Sequence, residues 1–113
     1  MEKQRLVIGS RTILRSGHVQ DNLRPVEFEG ELLASHTDFS GDDTRGITES
    51  LYRTLDGRLV VYVEDWSRWQ GEPTIYRLVA VEDDDFEPGG RFELLGRQAG
   101  LVGPLSLDQA LNG

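Results

Sequence analysis

The feature that most constrains this chain is the run of residues 47–82, where three β-rich segments are separated by two turn-like connections. The Asp56-Gly57 dipeptide between the first two segments is a strong local signal for a β-hairpin. The pattern predicts strands at residues 49–55, 58–66 and 74–81, with a longer loop at residues 67–73. A two-residue turn of this type takes positive φ at both positions and would place Tyr52 opposite Val61.

The second and third of these strands carry apolar residues on both faces, which is typical of strands covered on both sides. The C-terminal third of the chain can cover one face of these strands. Its sequence pattern predicts a helix at residues 92–99 and a final helix at residues 104–113, the latter with a Ser106–Gln109 capping box. The predicted fold class is α+β: one domain over residues 1–113, with an antiparallel sheet centred on the 49–81 meander and short C-terminal helices packed on one face. Six apolar residues are expected to dock these helices: Phe92, Leu94, Leu95, Leu101, Leu107 and Leu111.

The N-terminal part of the chain leaves more alternatives open. Two β-like pieces flank Gly9-Ser10 and predict either a tight hairpin or one strand with a glycine bulge. Apolar and polar residues alternate at the start of residues 26–36, which predicts a half-buried strand with a bulge at Gly30. The alternative is a short helix over residues 31–35. Residues 37–46 predict a polar surface loop.

Composition excludes several classes of protein. The 113 residues include no cysteine, which excludes disulfides, thiolate metal sites and a cysteine nucleophile and fits a cytoplasmic protein. No apolar run approaches the length of a membrane span, and the apolar residues near the start are too few for a signal peptide. The net charge of −8 argues against general nucleic-acid binding.

The charge is unevenly distributed along the chain. Residues 1–24 carry five cations against two carboxylates, a net charge of +3, which leaves −11 for the remainder. This basic segment could contact phosphate, although pairing with the acidic body is the favoured interpretation.

The predicted loop after the second strand combines Trp66, Arg68 and Trp69. Tryptophan and arginine dominate the energetics of binding interfaces, because each offers a large contact area with a polar group. The loop therefore predicts a binding module for a protein partner or for a second copy of the chain. The structural alternative is that the indoles cap the core and that Arg68 merely stacks on one of them.

Two other function classes remain as alternatives. The acidic clusters would suit an inhibitor that imitates the phosphates of nucleic acid, although the eleven arginines argue against it. A small enzyme could use His36 as a base oriented by Asp38. No cofactor motif is present, and the spacing of His18 and His36 does not predict a metal site.

Overall fold

The computed structural model describes residues 2–101 and 107–112, and its five strands form a closed antiparallel barrel in the order β1-β2-β3-β4-β5. The predicted α+β class is therefore wrong, because the sheet closes on itself and the two α-helices are only six residues long. The elements are β1 (Glu2–Ile13), β2 (Val19–Phe39), β3 (Arg45–Thr54), β4 (Leu59–Ser67), β5 (Pro73–Ala80), a 3₁₀-helix (Asp83–Phe86), α1 (Glu93–Gln98) and α2 (Leu107–Asn112).

The strands β3 and β4 are buried on two faces, and different parts of the chain cover them, whereas β5 has no fully buried residue, contrary to the prediction for the third strand. On one face, Leu51, Val61 and Val63 form the core together with Phe92 and Leu95 from the region of α1. The opposite face carries Tyr52 and Tyr62, which are also buried. An open sheet would have left that second face to a helix, whereas here it is covered by the first two strands of the same barrel.

Two contacts show how β1 and β2 cover the second face. The Tyr62 hydroxyl donates a hydrogen bond of 2.6 Å to the carbonyl oxygen of Val7 in β1. Phe28 of β2 packs edge-on against Tyr52, with ring centroids 5.6 Å apart. A buried tyrosine needs a partner for its hydroxyl, and a strand backbone supplies one here.

The barrel closes at a short seam, where residues 9–12 of β1 pair with residues 73–76 of β5 in antiparallel register. Strands of a flat five-strand meander alternate in direction, so the first and fifth would run parallel. The antiparallel seam therefore requires the strands to bend strongly. Gly9 lies at its start with φ of +123°, and a Cβ there would come within 1.9 Å of the Asn22 carbonyl oxygen. Only glycine fits this position.

The strand β2 is longer than predicted, because residues 19–30 pair with β1 and residues 30–39 pair with β3. The register shifts between Leu32 and Ala34, so the bulge is not at Gly30. Gly30 is instead a point of close approach, since a Cβ there would lie 2.7 Å from the Arg53 carbonyl oxygen. β1 is one continuous strand, which rules out the tight hairpin, but its unbroken register with β2 shows no bulge at Gly9.

The β3–β4 hairpin exists, but its register differs by one residue from the prediction. Tyr52 lies opposite Val60, and Leu51 lies opposite Val61. Within this connection, only Gly57 has positive φ, at +86°. The Thr54 amide donates a hydrogen bond to the Arg58 carbonyl oxygen. The connection is therefore a three-residue loop closed by a left-handed glycine, rather than a two-residue turn.

The C-terminal segment does not form the expected layer. Phe92 and Leu95 are buried, but Leu107 and Leu111 of α2 are each 73% exposed, so the predicted docking of the final helix is wrong. Ser106 of the predicted capping box lies outside the described residues. None of the helices in the described ranges has the length and apolar character needed to cross a lipid bilayer.

Candidate functional site

The β4–β5 loop (residues 68–72) follows Trp66 and holds the other two residues of the predicted site. Trp66 is partly buried: its indole N–H donates to the Thr48 hydroxyl at 3.2 Å, and its ring packs edge-on against Phe39. Gly46 lies directly beneath it, since a Cβ there would come within 2.5 Å of the ring. Trp66 therefore anchors the end of β4 to the sheet.

Arg68 stacks on this anchored indole. Its guanidinium carbon lies 5.4 Å from the centre of the Trp66 ring, while the side chain is exposed to solvent. The backbone N–H of Arg68 donates to the Thr44 carbonyl at 2.8 Å. A cation held over an indole face loses freedom of movement but keeps its donor groups available.

Trp69 is the exposed member of the three, with 53% of its surface accessible. Its position is nevertheless fixed, because the indole N–H donates to the Thr44 hydroxyl at 2.8 Å and its backbone N–H donates to the Ser67 hydroxyl at 3.1 Å. Thr44 in turn donates to the Asp42 carboxylate, and this hydrogen bond lowers the pKa of Asp42. The connection between β2 and β3 thus supports the exposed indole.

A second network fixes the far end of the loop. Arg45 forms a two-point contact with the Glu72 carboxylate, at 2.8 and 2.6 Å, and the Ser67 hydroxyl donates to the same carboxylate at 2.6 Å. These bonds lower the pKa of Glu72, the hydrogen bond from Arg45 having the largest effect. Glu72 is therefore ionised at neutral pH and accepts three hydrogen bonds.

These loop residues form one side of a groove with a volume of about 500 Å³, which we call the seam groove. Arg11 and Ile13 of β1 and Thr74 and Tyr76 of β5 also line the groove. The groove exists because the seam brings β1 beside the start of β5. Its volume is within the range of protein binding sites, about 300–1,000 Å³.

Only part of the groove's lining was predictable from the sequence. Arg68 and Trp69 line the groove, whereas Trp66 supports it from behind. Arg11, Ile13 and Tyr76 were not predicted. Their separation in the chain is long, and no local signal indicates that β1 pairs with β5. The only available indication was the uneven charge, which marked residues 1–24 as different from the body.

The residues of the enzymatic alternative lie elsewhere on the barrel. His36 pairs across the sheet with Glu49. Burial raises the pKa of the Glu49 carboxyl. Asp38 lies two residues further along the same strand. In the part of the chain that the structure describes, no three potential metal ligands come together, and the lining of the seam groove includes no histidine.

The acidic surface is interrupted by basic partners. Ion pairs to arginine or lysine engage the carboxylates of Glu27, Glu31, Asp56, Glu72 and Glu93. A mimic of nucleic acid needs an array of unneutralised negative charges, so this pairing does not favour that alternative.

Neither the models of known protein families, nor curated proteins, nor solved structures give a match to this chain. Function must therefore be argued from the site itself.

Proposed function

We propose that this protein is a binding module that holds a short segment of a protein partner in the seam groove. The observation that carries the proposal is Trp69, a large aromatic side chain that is 53% exposed yet fixed at the groove by two hydrogen bonds. Exposed aromatic residues of this kind are the typical anchors of protein interfaces.

Pre-organisation is the physical reason for this preference. A partner normally has to order the side chains that it contacts, at a cost of about 0.5–1.5 kcal/mol for each flexible side chain. Trp69 is already held by Thr44 and Ser67, and Arg68 is already stacked on Trp66. The groove therefore offers two anchor residues whose freedom is restricted before binding.

The lining residues suit binding more than catalysis. The groove combines an indole, a phenol ring and two guanidinium groups, while its one carboxylate, Glu72, is engaged by Arg45 and Ser67. No general base is therefore available from Glu72. For the cell compartment we propose the cytoplasm, on the sole basis of the cysteine-free sequence.

Selection from a library of random dodecapeptides displayed on phage tests this proposal. Immobilised wild-type protein should enrich peptides whose affinity falls at least about tenfold for Trp69→Ala, a loss of about 1.4 kcal/mol. Leu55→Ala is the matched control, because Leu55 is 64% exposed in the β3–β4 loop, away from the groove. The affinity for this variant should remain within about twofold of the wild type.

Two results would contradict the proposal. Enriched peptides that bind Trp69→Ala as tightly as the wild type would place the interaction elsewhere on the surface. A selection that enriches nothing above a blank matrix, with correctly folded protein, would also count against it. Thermal unfolding of each variant checks that the fold is intact.

A further inference from the structure

We infer that the partner segment in the seam groove is an acidic peptide, with carboxylate side chains beside an apolar or aromatic residue. This inference rests on the proposed function and specifies its ligand. It is carried by the charges that line the groove, which differ in sign from the charge of the protein as a whole.

Two of the groove's three charged residues are unneutralised cations. Neither Arg11 nor Arg68 forms an ion pair with any side chain that the structure describes. The third charged residue, Glu72, has its carboxylate bonded to Arg45 and Ser67. The groove therefore presents a net positive lining to a ligand.

This positive lining contrasts with the body of the chain, because residues 25–113 carry a net charge of −11. Five of the eleven arginines form ion pairs within the described residues: Arg5, Arg45, Arg53, Arg58 and Arg97. Arg11 and Arg68 line one groove without forming an ion pair, although Arg11 lies opposite Asp21 in the β1–β2 register. Guanidinium groups bind carboxylates through two parallel hydrogen bonds, so the geometry of the missing partner is that of a carboxylate.

The remaining lining explains why the ligand is a peptide rather than a polyanion. Trp69, Ile13 and Tyr76 offer apolar and aromatic contact beside the arginines. Tyr76 is itself stacked on Tyr62, with ring centroids 6.2 Å apart, which gives the groove a rigid aromatic wall. A nucleic acid would bring many phosphates against an acidic body, whereas a short peptide needs only one or two carboxylates at the groove.

Fluorescence anisotropy with two labelled synthetic peptides tests the inference. Both are capped dodecapeptides of Gly and Ser with a central Glu-Phe-Glu or Gln-Phe-Gln sequence. The Glu peptide should bind wild-type protein at least about tenfold more tightly than the Gln peptide, because hydrogen bonds between charged groups are the stronger ones. Arg11→Gln and Arg68→Gln should each remove most of this difference, and Trp69→Ala should weaken both peptides.

Arg77→Gln is the matched control, because it removes the same charge from β5 at a position that is not part of the groove. Alternation along the strand places Arg77 on the face opposite to Tyr76. The affinity of the Arg77→Gln variant for the Glu peptide should stay within about twofold of the wild-type value. Equal losses in Arg11→Gln, Arg68→Gln and Arg77→Gln would show an effect of total charge only and would overturn the inference.

The outcomes separate this inference from the proposed function. Equal affinity for both peptides, still lost in Trp69→Ala, would overturn the acidic ligand and leave the binding groove intact. If neither peptide binds while phage selection yields neutral peptides that depend on Trp69, the acidic ligand is overturned and the proposed binding groove is not. If neither peptide binds and the selection enriches nothing, both proposals are overturned.

Discussion

Replacement of Tyr62 by phenylalanine should measure how much the β1–β4 contact contributes to stability. The change removes only the hydroxyl that donates to the Val7 carbonyl at 2.6 Å, and Tyr62 is just 6% exposed. The carbonyl would lose its partner in a half-buried position. A lost hydrogen bond with an acceptor left unsatisfied costs about 1.5 kcal/mol, which corresponds to a melting temperature lower by about 6 °C in a chain of this size.

The same variant should also change the pH dependence of stability. Burial raises the pKa of Tyr62 to about 12, above its ordinary value of 10. A neutral, buried phenol stabilises the fold fully below pH 10, and this contribution is lost as the pH rises towards 12, because the unfolded chain ionises first. Phenylalanine cannot ionise, so the stability difference between wild type and Tyr62→Phe should shrink between pH 9 and pH 11.5.

Urea denaturation followed by circular dichroism provides both measurements. Tyr76→Phe is the control, because the Tyr76 hydroxyl forms no hydrogen bond within the described ranges, although its ring stacks on Tyr62. That variant should lose less than about 0.5 kcal/mol. If Tyr62→Phe is as stable as wild type at pH 7, or if its deficit is unchanged at pH 11.5, the assigned role of the hydroxyl is wrong.

Three further substitutions test the turn, the sheet and the loop. Gly57→Val should lower the free energy of unfolding, measured by urea denaturation, by about 1–2 kcal/mol, because the φ of +86° at this position strains a β-branched residue. Gly41→Val should be nearly neutral, because Gly41 has open space around it and no positive φ. Gly46→Ala should cost about 1–3 kcal/mol, since its Cβ would meet the Trp66 ring at 2.5 Å; an unchanged unfolding midpoint would contradict this packing. Trp69→Ala should change stability by less than about 1 kcal/mol, and in single-tryptophan variants acrylamide should quench Trp69 far more than Trp66; equal quenching would refute the assigned exposures.

Local sequence signals predicted the meander well, because alternation and turn residues act over a few positions. The β3–β4 hairpin, the faces of β4 and a strand close to residues 74–81 all exist. The register was wrong because Asp56-Gly57 closes either a two-residue or a three-residue loop. Only the packing of Leu51 against Val61 and Val63 in the core decides between them.

The barrel itself was beyond local signals. Residues 19–25 are polar and predicted no strand, yet they form β2 because β1 offers hydrogen-bond partners along its whole length. The seam between residues 9–12 and 73–76 depends on a pairing across most of the chain. Without it, the apolar second face of the meander indicated a helical cover, which led to the wrong fold class.

The candidate site was half predictable for the same reason. Trp66, Arg68 and Trp69 are close in sequence, so their composition alone indicated a binding loop. Arg11 reaches the groove through the pairing of β1 with β5, and no motif in the sequence indicates that it lines the same groove as Arg68.

The position of the seam has a consequence for the motions of the protein. Closing it joins residues more than 60 positions apart, and such long-range pairings are slow to form. Because the pairing is only four residues long, with one further bond from the Gly71 amide to the Ile13 carbonyl, we expect it to open before the rest of the barrel.

A peptide held in the seam groove, as we propose, would contact both β1 and the β4–β5 loop. It would therefore bind only the closed seam, and at 100 times its dissociation constant it would stabilise that state by about 2.7 kcal/mol. Hydrogen exchange of the backbone amides along the seam should then slow about a hundredfold on binding, while exchange in the β3–β4 hairpin should not change. Under the proposed function, binding of a partner segment would thus favour closure of the barrel, and closure would favour binding.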